Sequence, residues 1–313
     1  MKLSKVIFFI FCIGIISINS LHAQDICKCD YIASGYYQLV YEAEIAYLEG
    51  NEMLAYEKLQ EAERACPLLN QSLSQEMELY GQLLLKNRNF NKTIHYMEKL
   101  ATEYGKTPGY ILSALNKDSI LLSDLLLQYP TLKDSILPAI LQKCDEFYTP
   151  KRKQLATELR DILMLDQEVR KSATLSLSKI KETDSLNAKR FFEIVEEYGY
   201  PNEKQYGGDF QNMQLYSGID ALIVHISVDF NIEEMILRYV REGECAPAVF
   251  GSIIDKAILE EKCKTKSLYG VWDNVSDSEI IDILHLDERR MAIGMPTRAM
   301  HKRRAELLKE RNE

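Results

Sequence analysis

Glycine and proline are scarce in this 313-residue chain, 14 and 8 respectively. That is too few for a protein built from many tightly turned strands, so a helical fold is expected. Basic charge is short as well: 38 Lys and Arg stand against 47 Asp and Glu, a formal net charge of −9. Without a clustered excess of cations the chain lacks the means to neutralise a phosphate backbone, which excludes nucleic acid as a partner. Beyond Ala23 no apolar stretch is long enough to cross a bilayer, so stable membrane insertion is not expected once the leader described next is removed. Missing too are G-x-x-x-x-G-K-[ST], G-x-G-x-x-G, H-E-x-x-H and G-x-S-x-G, so nothing calls for a nucleotide, a dinucleotide cofactor or a catalytic zinc. What is present, 46% hydrophobic and 27% charged residues, is the composition of a folded globular protein.

The first 23 residues read as a secretory signal peptide. Lys2 and Lys5 make a short positive start, Val6 to Ile18 is almost wholly apolar, and Leu21-His22-Ala23 ends in the small residue that signal peptidase prefers. Cys12 and Cys27 are misplaced for a lipidation box. The mature chain is therefore expected in the periplasm or secreted, with 36 basic against 47 acidic side chains, about −11. In an oxidising compartment the six cysteines after Cys12 are candidates for disulfides. A helix across Ala246 to Lys262 would hold Cys245 and Cys263 roughly 25 Å apart at 1.5 Å per residue, too far to pair. Cys27 or Cys29 is the candidate partner for Cys66, with buried free thiols as the alternative. No second Cys or His pair follows Cys27-Lys28-Cys29 at finger spacing, so no metal site is expected.

Helical periodicity runs through Tyr36 to Glu49, breaks at Gly50-Asn51 and resumes through Leu54, Ala55, Leu59, Ala62 and Cys66 to Pro67. A second pair of segments carries Met77, Tyr80, Gly81 and Leu84, then Phe90, Thr93, Met97 and Leu100, ending at Gly105. The small and large residues in these hairpins resemble tetratricopeptide repeats, although Glu42 stands where that family has Leu. Residues 107–149 read as a degenerate repeat or a cap, and Tyr148 to Lys153 breaks the pattern. The expected organisation is an all-α protein in two parts, a tetratricopeptide-like unit at 25–149 and a second mostly helical unit at 151–313, with at most a short hairpin near Leu268 to Asp273.

Residues 154–305 resemble domain-of-unknown-function family 6624. The marks are Asp166-Gln167 with Arg170, Asp184 and Asn187, Tyr198-Gly199-Tyr200-Pro201, Ile223-Val224-His225, Asp255-Lys256, Tyr269-Gly270, and Asp287-Glu288-Arg289-Arg290 with Gly294-Met295-Pro296. Val271-Trp272 replaces the family's usual Thr-Gln, and Val224 stands where Gln often precedes the His. The family has no established function, so the resemblance implies a fold and no reaction.

Side-chain chemistry nominates the candidate residues. His225 lies in an apolar run and must hydrogen-bond something; it is read either as a satisfied core histidine or as a general acid or base beside Asp255, with Arg289 or Arg290 holding a small anionic ligand. Tyr269 and Trp272 are core residues or would stack on that ligand. The favoured function is an extracytoplasmic interaction or scaffold protein whose repeats present Tyr36, Tyr37 and Tyr47 to a protein or peptide partner. The alternatives are a hydrolase-like enzyme or a ligand sensor at the C-terminal site.

Overall fold

A computed structural model describes residues 29–71, 75–171, 176–208, 215–226, 232–262, 266–272 and 274–312. The signal peptide, Cys27 and Cys263 lie outside the described residues. The fold is all-α: the described residues form 15 α-helices and no strand. Where a short hairpin was expected there is an irregular loop with one isolated parallel bridge, Ser267 to Ile280.

The first two helical hairpins follow the periodicity of the sequence. α1 (Tyr36–Leu48) turns through Gly50, at φ 82°, into α2 (Glu52–Ala65), whose start is capped by Asn51 accepting from Leu54 N at 3.2 Å. Ala43, Ala55, Leu59 and Ala62 are fully buried where the two helices meet, since small residues let the backbones approach. α3 (Glu76–Lys86) and α4 (Phe90–Tyr104) form the second hairpin. Gly81 permits the next helix, α5 (Gly109–Lys117), to sit against α3, because a methyl group there would strike Ile111. Gly105 ends α4 in the left-handed conformation, φ 56°, against the ring of Phe147. α6 (Ser119–Gln128) is capped by Asp118, and a π-helical turn at Leu132–Ile136 leads into α7 (Leu137–Phe147), which packs on α4.

The break at Tyr148 to Lys153 is shorter than the sequence suggested. Only Tyr148 and Thr149 interrupt the helices, because Pro150 starts α8 (Pro150–Lys171) at the position where proline is tolerated. Thr149 accepts from Arg152 N, and the Arg152 guanidinium lies over the Phe147 ring at 3.8 Å while bonding the Phe147 carbonyl. α8 pairs with α9 (Leu177–Tyr198), and a short turn of helix, α10 (Glu203–Tyr206), precedes α11 (Leu215–Ile226). α12 (Glu233–Arg241) and α13 (Pro247–Lys262) pack together; α14 (Leu286–Ala292) and α15 (Arg298–Asn312) close the chain.

One hydrophobic core runs across the expected boundary. The basic C-terminal segment docks as α15 along α1, with Arg304 paired to Glu44 at 2.7 Å and Arg303 to Glu49 at 2.9 Å. Tyr31 N bonds the Arg241 carbonyl at 2.9 Å, Gln38 the Met295 carbonyl at 2.6 Å, and Gly208 N the Tyr104 carbonyl at 2.6 Å. A disulfide joins Cys29 to Cys66, Cα atoms 5.8 Å apart, and ties the entry of the described chain to the end of α2. Cys144 and Cys245 are buried and stand outside that bond.

Candidate functional site

The structure gives Tyr36 and Tyr37 a different place from the exposed groove assigned to them. Both are buried, ring edges to ring faces, and their hydroxyls have interior partners. Tyr36 donates to Glu76 at 3.1 Å and accepts from Leu69 N at 2.8 Å, and Tyr37 donates to the Val240 carbonyl at 2.7 Å. Buried phenols need such partners, and here they fasten α1 to its neighbours. Tyr47 is half-buried under Arg311, whose guanidinium lies 5.1 Å from the ring centre.

Asp255, Arg289, Arg290 and Tyr269 do stand together, but in a loop anchor and not around a ligand. Asp255 is fully buried on α13, and its carboxylate accepts from three backbone amides and one hydroxyl: Leu268 N at 2.6 Å, Tyr269 N at 2.8 Å, Val271 N at 3.1 Å and Ser267 Oγ at 2.5 Å. Arginines take the carbonyls of the same loop. Arg290, also fully buried, donates to Tyr269 O and Gly270 O and to Pro296 O, while Arg298 donates to Gly270 O and Val275 O. Burial, with Arg298 nearby, pushes the Arg290 guanidinium down to about 10. Arg289 bonds the carbonyls of Leu268, Ile281 and Asp282. Most donors of these arginines go to backbone oxygens, and the nitrogens left over, Arg289 Nε, Arg290 Nη2 and Arg298 Nε, are buried, so an anion held in an Arg289 or Arg290 fork is not what the geometry offers. Tyr269 is buried beside Phe250. The product of this anchoring is a fixed loop that carries Trp272 to the rim of a cleft.

His225 faces elsewhere and has a different partner. α8 places Asp166 and Arg170 one helical turn apart, α9 supplies Asp184, and α11 brings His225 across 59 residues of chain. His225 Nδ1 lies 3.0 and 3.1 Å from the two oxygens of Asp166, whose side chain is 0% exposed. Arg170 bridges Asp166 at 2.7 Å and both oxygens of Asp184 at 2.7 and 2.9 Å, and Gln167 Nε2 donates to Asp166 at 2.9 Å. Burial alone would raise the Asp166 carboxyl. The His225 hydrogen bond and charge, Arg170 and Gln167 outweigh it and hold Asp166 below the usual carboxylate range. An ionised carboxylate at Nδ1 makes that nitrogen the donor and leaves Nε2 as the acceptor of the neutral ring. The end of α11 is pinned in turn: Lys256 Nζ bonds the carbonyls of Val224 at 3.0 Å and His225 at 3.4 Å, a cation at a helix C-terminus.

The His225 side chain is 24% exposed and lines a cleft of about 280 Å³ with Asp220, Val224, Val249, Ser252 and Trp272. Burial pushes the Asp220 carboxyl up to about 7, so it holds a proton through much of the neutral range. An imidazole oriented by a buried carboxylate and a carboxyl that keeps its proton thus face one small cavity, the pairing of environments that separates a base from an acid. Among the described residues no group of three or more His, Cys, Asp or Glu is arranged to hold a metal ion. Asp166, Arg170, Asp184, Asp220 and Ser252 were not among the candidate site residues read from the sequence. Asp166, Arg170 and Asp184 stood in the sequence as marks of the family resemblance, and Asp166 and Arg170 also at i, i+4 spacing, but with no role attached.

Comparison of the chain with family models, with curated proteins and with solved structures found no match.

Proposed function

We propose that this chain is a hydrolase-like enzyme that acts by proton transfer on a small, uncharged polar substrate in the His225 cleft. The observation that carries the reading is the pairing of a fully buried Asp166 with a partly exposed His225 at a cleft wall. In this reading His225 Nε2 takes the proton from the attacking water, Asp166 is a positioning residue that fixes the ring, and Asp220 gives its proton to the leaving group. Trp272 offers an aromatic edge for the substrate. A neutral substrate is favoured because Arg289 and Arg290 are spent on carbonyls and Arg170 on Asp166 and Asp184.

The Cys29–Cys66 disulfide supports the extracytoplasmic setting that the leader sequence suggests. Interior positions for Tyr36 and Tyr37, with α15 covering α1, favour an enzyme over partner capture by the N-terminal hairpins.

The test is turnover of chromogenic esters, amides and glycosides by the mature chain. Wild-type protein should turn over members of one class. His225→Ala should lose about 10³-fold in kcat/KM and Asp166→Asn about 10²–10⁴-fold, with both variants folded by circular dichroism. Turnover of none of these classes, or turnover that His225→Ala leaves intact, contradicts the reading.

A further inference from the structure

A second cavity, of about 150 Å³, lies where α10 meets the segment after α2, Tyr104 of α4, and the turn that follows α12. Its walls hold three buried polar groups that lack a well-formed hydrogen bond: both carboxylate oxygens of Glu203, the hydroxyl of Tyr200, beside Cys245, and the side-chain amide nitrogen of Asn70, beside Glu203. Glu203 is 7% exposed, Tyr200 3% and Asn70 1%. A buried polar group left poorly satisfied is costly, so three around one cavity need an explanation.

Two cations near the cavity are engaged elsewhere. Lys106, the nearest to influence Glu203, pairs with the buried Glu78 at 3.2 Å, and Lys204 lies over the Tyr104 ring at 5.4 Å from its centre. Burial, with Glu76 and Glu78 pushing the same way, raises the Glu203 carboxyl to about 8. Glu242 and Glu244 add acidic lining, which repels an anion. Metal coordination is not indicated, since no group of three potential ligands is assembled among the described residues.

We infer that this cavity binds a small organic cation, a primary ammonium compound whose N–H groups bond Glu203 and whose adjoining oxygen accepts from Asn70 or Tyr200. Tyr104, Tyr200 and Tyr206 supply aromatic surface of the kind that accommodates a cation. Asp220 lines this cavity as well as the His225 cleft, but recognition here rests on Glu203, Asn70 and Tyr200 and stands whether or not the chain hydrolyses anything. Because Asn70 and Tyr104 come from one half of the chain and Tyr200 and Glu203 from the other, an occupied cavity would join the two halves.

The test is calorimetric titration of the full mature chain with ethanolamine, against ethylene glycol as its neutral counterpart and glycolate as its anionic one. Ethanolamine should bind saturably with one site per chain, and the other two should not. Glu203→Gln, which keeps the shape but cannot release a proton to form the carboxylate that an ammonium ion pairs with, should weaken ethanolamine about tenfold or more, the loss expected for one charge-assisted hydrogen bond. Tyr200→Phe provides a second, milder change and should weaken it severalfold. No saturable ethanolamine binding, equal binding of ethylene glycol, or unchanged affinity in a folded Glu203→Gln protein would overturn the assignment.

Discussion

Replacing Asp255 by alanine should destabilise the protein by about 3–5 kcal/mol, the loss expected when one member of a buried charged network is deleted. The carboxylate accepts from Leu268 N, Tyr269 N, Val271 N and Ser267 Oγ, and no water-facing edge replaces it because the side chain is fully buried. Its removal orphans three backbone amides and takes away one of the two carboxylates, with Asp287, that act on the buried Arg290. Asp255→Asn retains one acceptor oxygen and should cost roughly half as much. Urea unfolding followed by circular dichroism measures both. A change below about 1 kcal/mol for Asp255→Ala would mean that the loop holds without its anchor. That anchor explains why an Asp-Lys motif and an Arg-Arg motif can look catalytic in sequence while serving to position Trp272.

Breaking the Cys29–Cys66 bond should cost about 3–4 kcal/mol on the chain-entropy account, since the two cysteines are 37 positions apart. Structure adds to the entropy. The segment that the bond retains carries Tyr31, whose ring meets Tyr36 and Tyr37, whose hydroxyl donates to the Pro67 carbonyl at 2.9 Å, and whose amide bonds Arg241 O. Denaturant midpoints with and without reductant should therefore separate for wild-type protein and coincide for a Cys29→Ser, Cys66→Ser double variant. Coincident midpoints for the wild type would show that the bond does not contribute.

Helix content and several caps were legible from local pattern alone. Gly50-Asn51 and Gly105 fall at turns because φ above zero and side-chain capping are local demands that the residue types announce. Pro150 misled in the opposite way: a proline and three basic residues look like a linker, yet proline suits a first helical turn and Arg152 is held by Phe147. Tyr36 and Tyr37 were assigned to a surface because tyrosine is amphipathic. The carbonyl of Val240, 203 residues away from Tyr37, is what makes burial affordable, and periodicity has no access to it.

The candidate site shows the same division. In sequence His225 reads either as a satisfied core histidine or as an acid or base beside Asp255. The actual partner, Asp166, sits three helices earlier and becomes visible only when α8 and α11 are side by side. Asp220 was invisible for a further reason, since its raised proton affinity arises from burial alone. Residue spacing describes one helix at a time, whereas both of these properties belong to the packing of several.

The most direct test of the account is the protonation state of each nitrogen of His225, read by nitrogen-15 NMR of the imidazole in the mature chain. An ionised Asp166 at 3.0 Å from Nδ1 predicts that the neutral ring carries its proton on Nδ1, with Nε2 open to the cleft, and that Asp166→Asn removes this preference. A neutral ring protonated on Nε2, or signals that Asp166→Asn leaves unchanged, would contradict the pairing on which the proposed proton transfer depends.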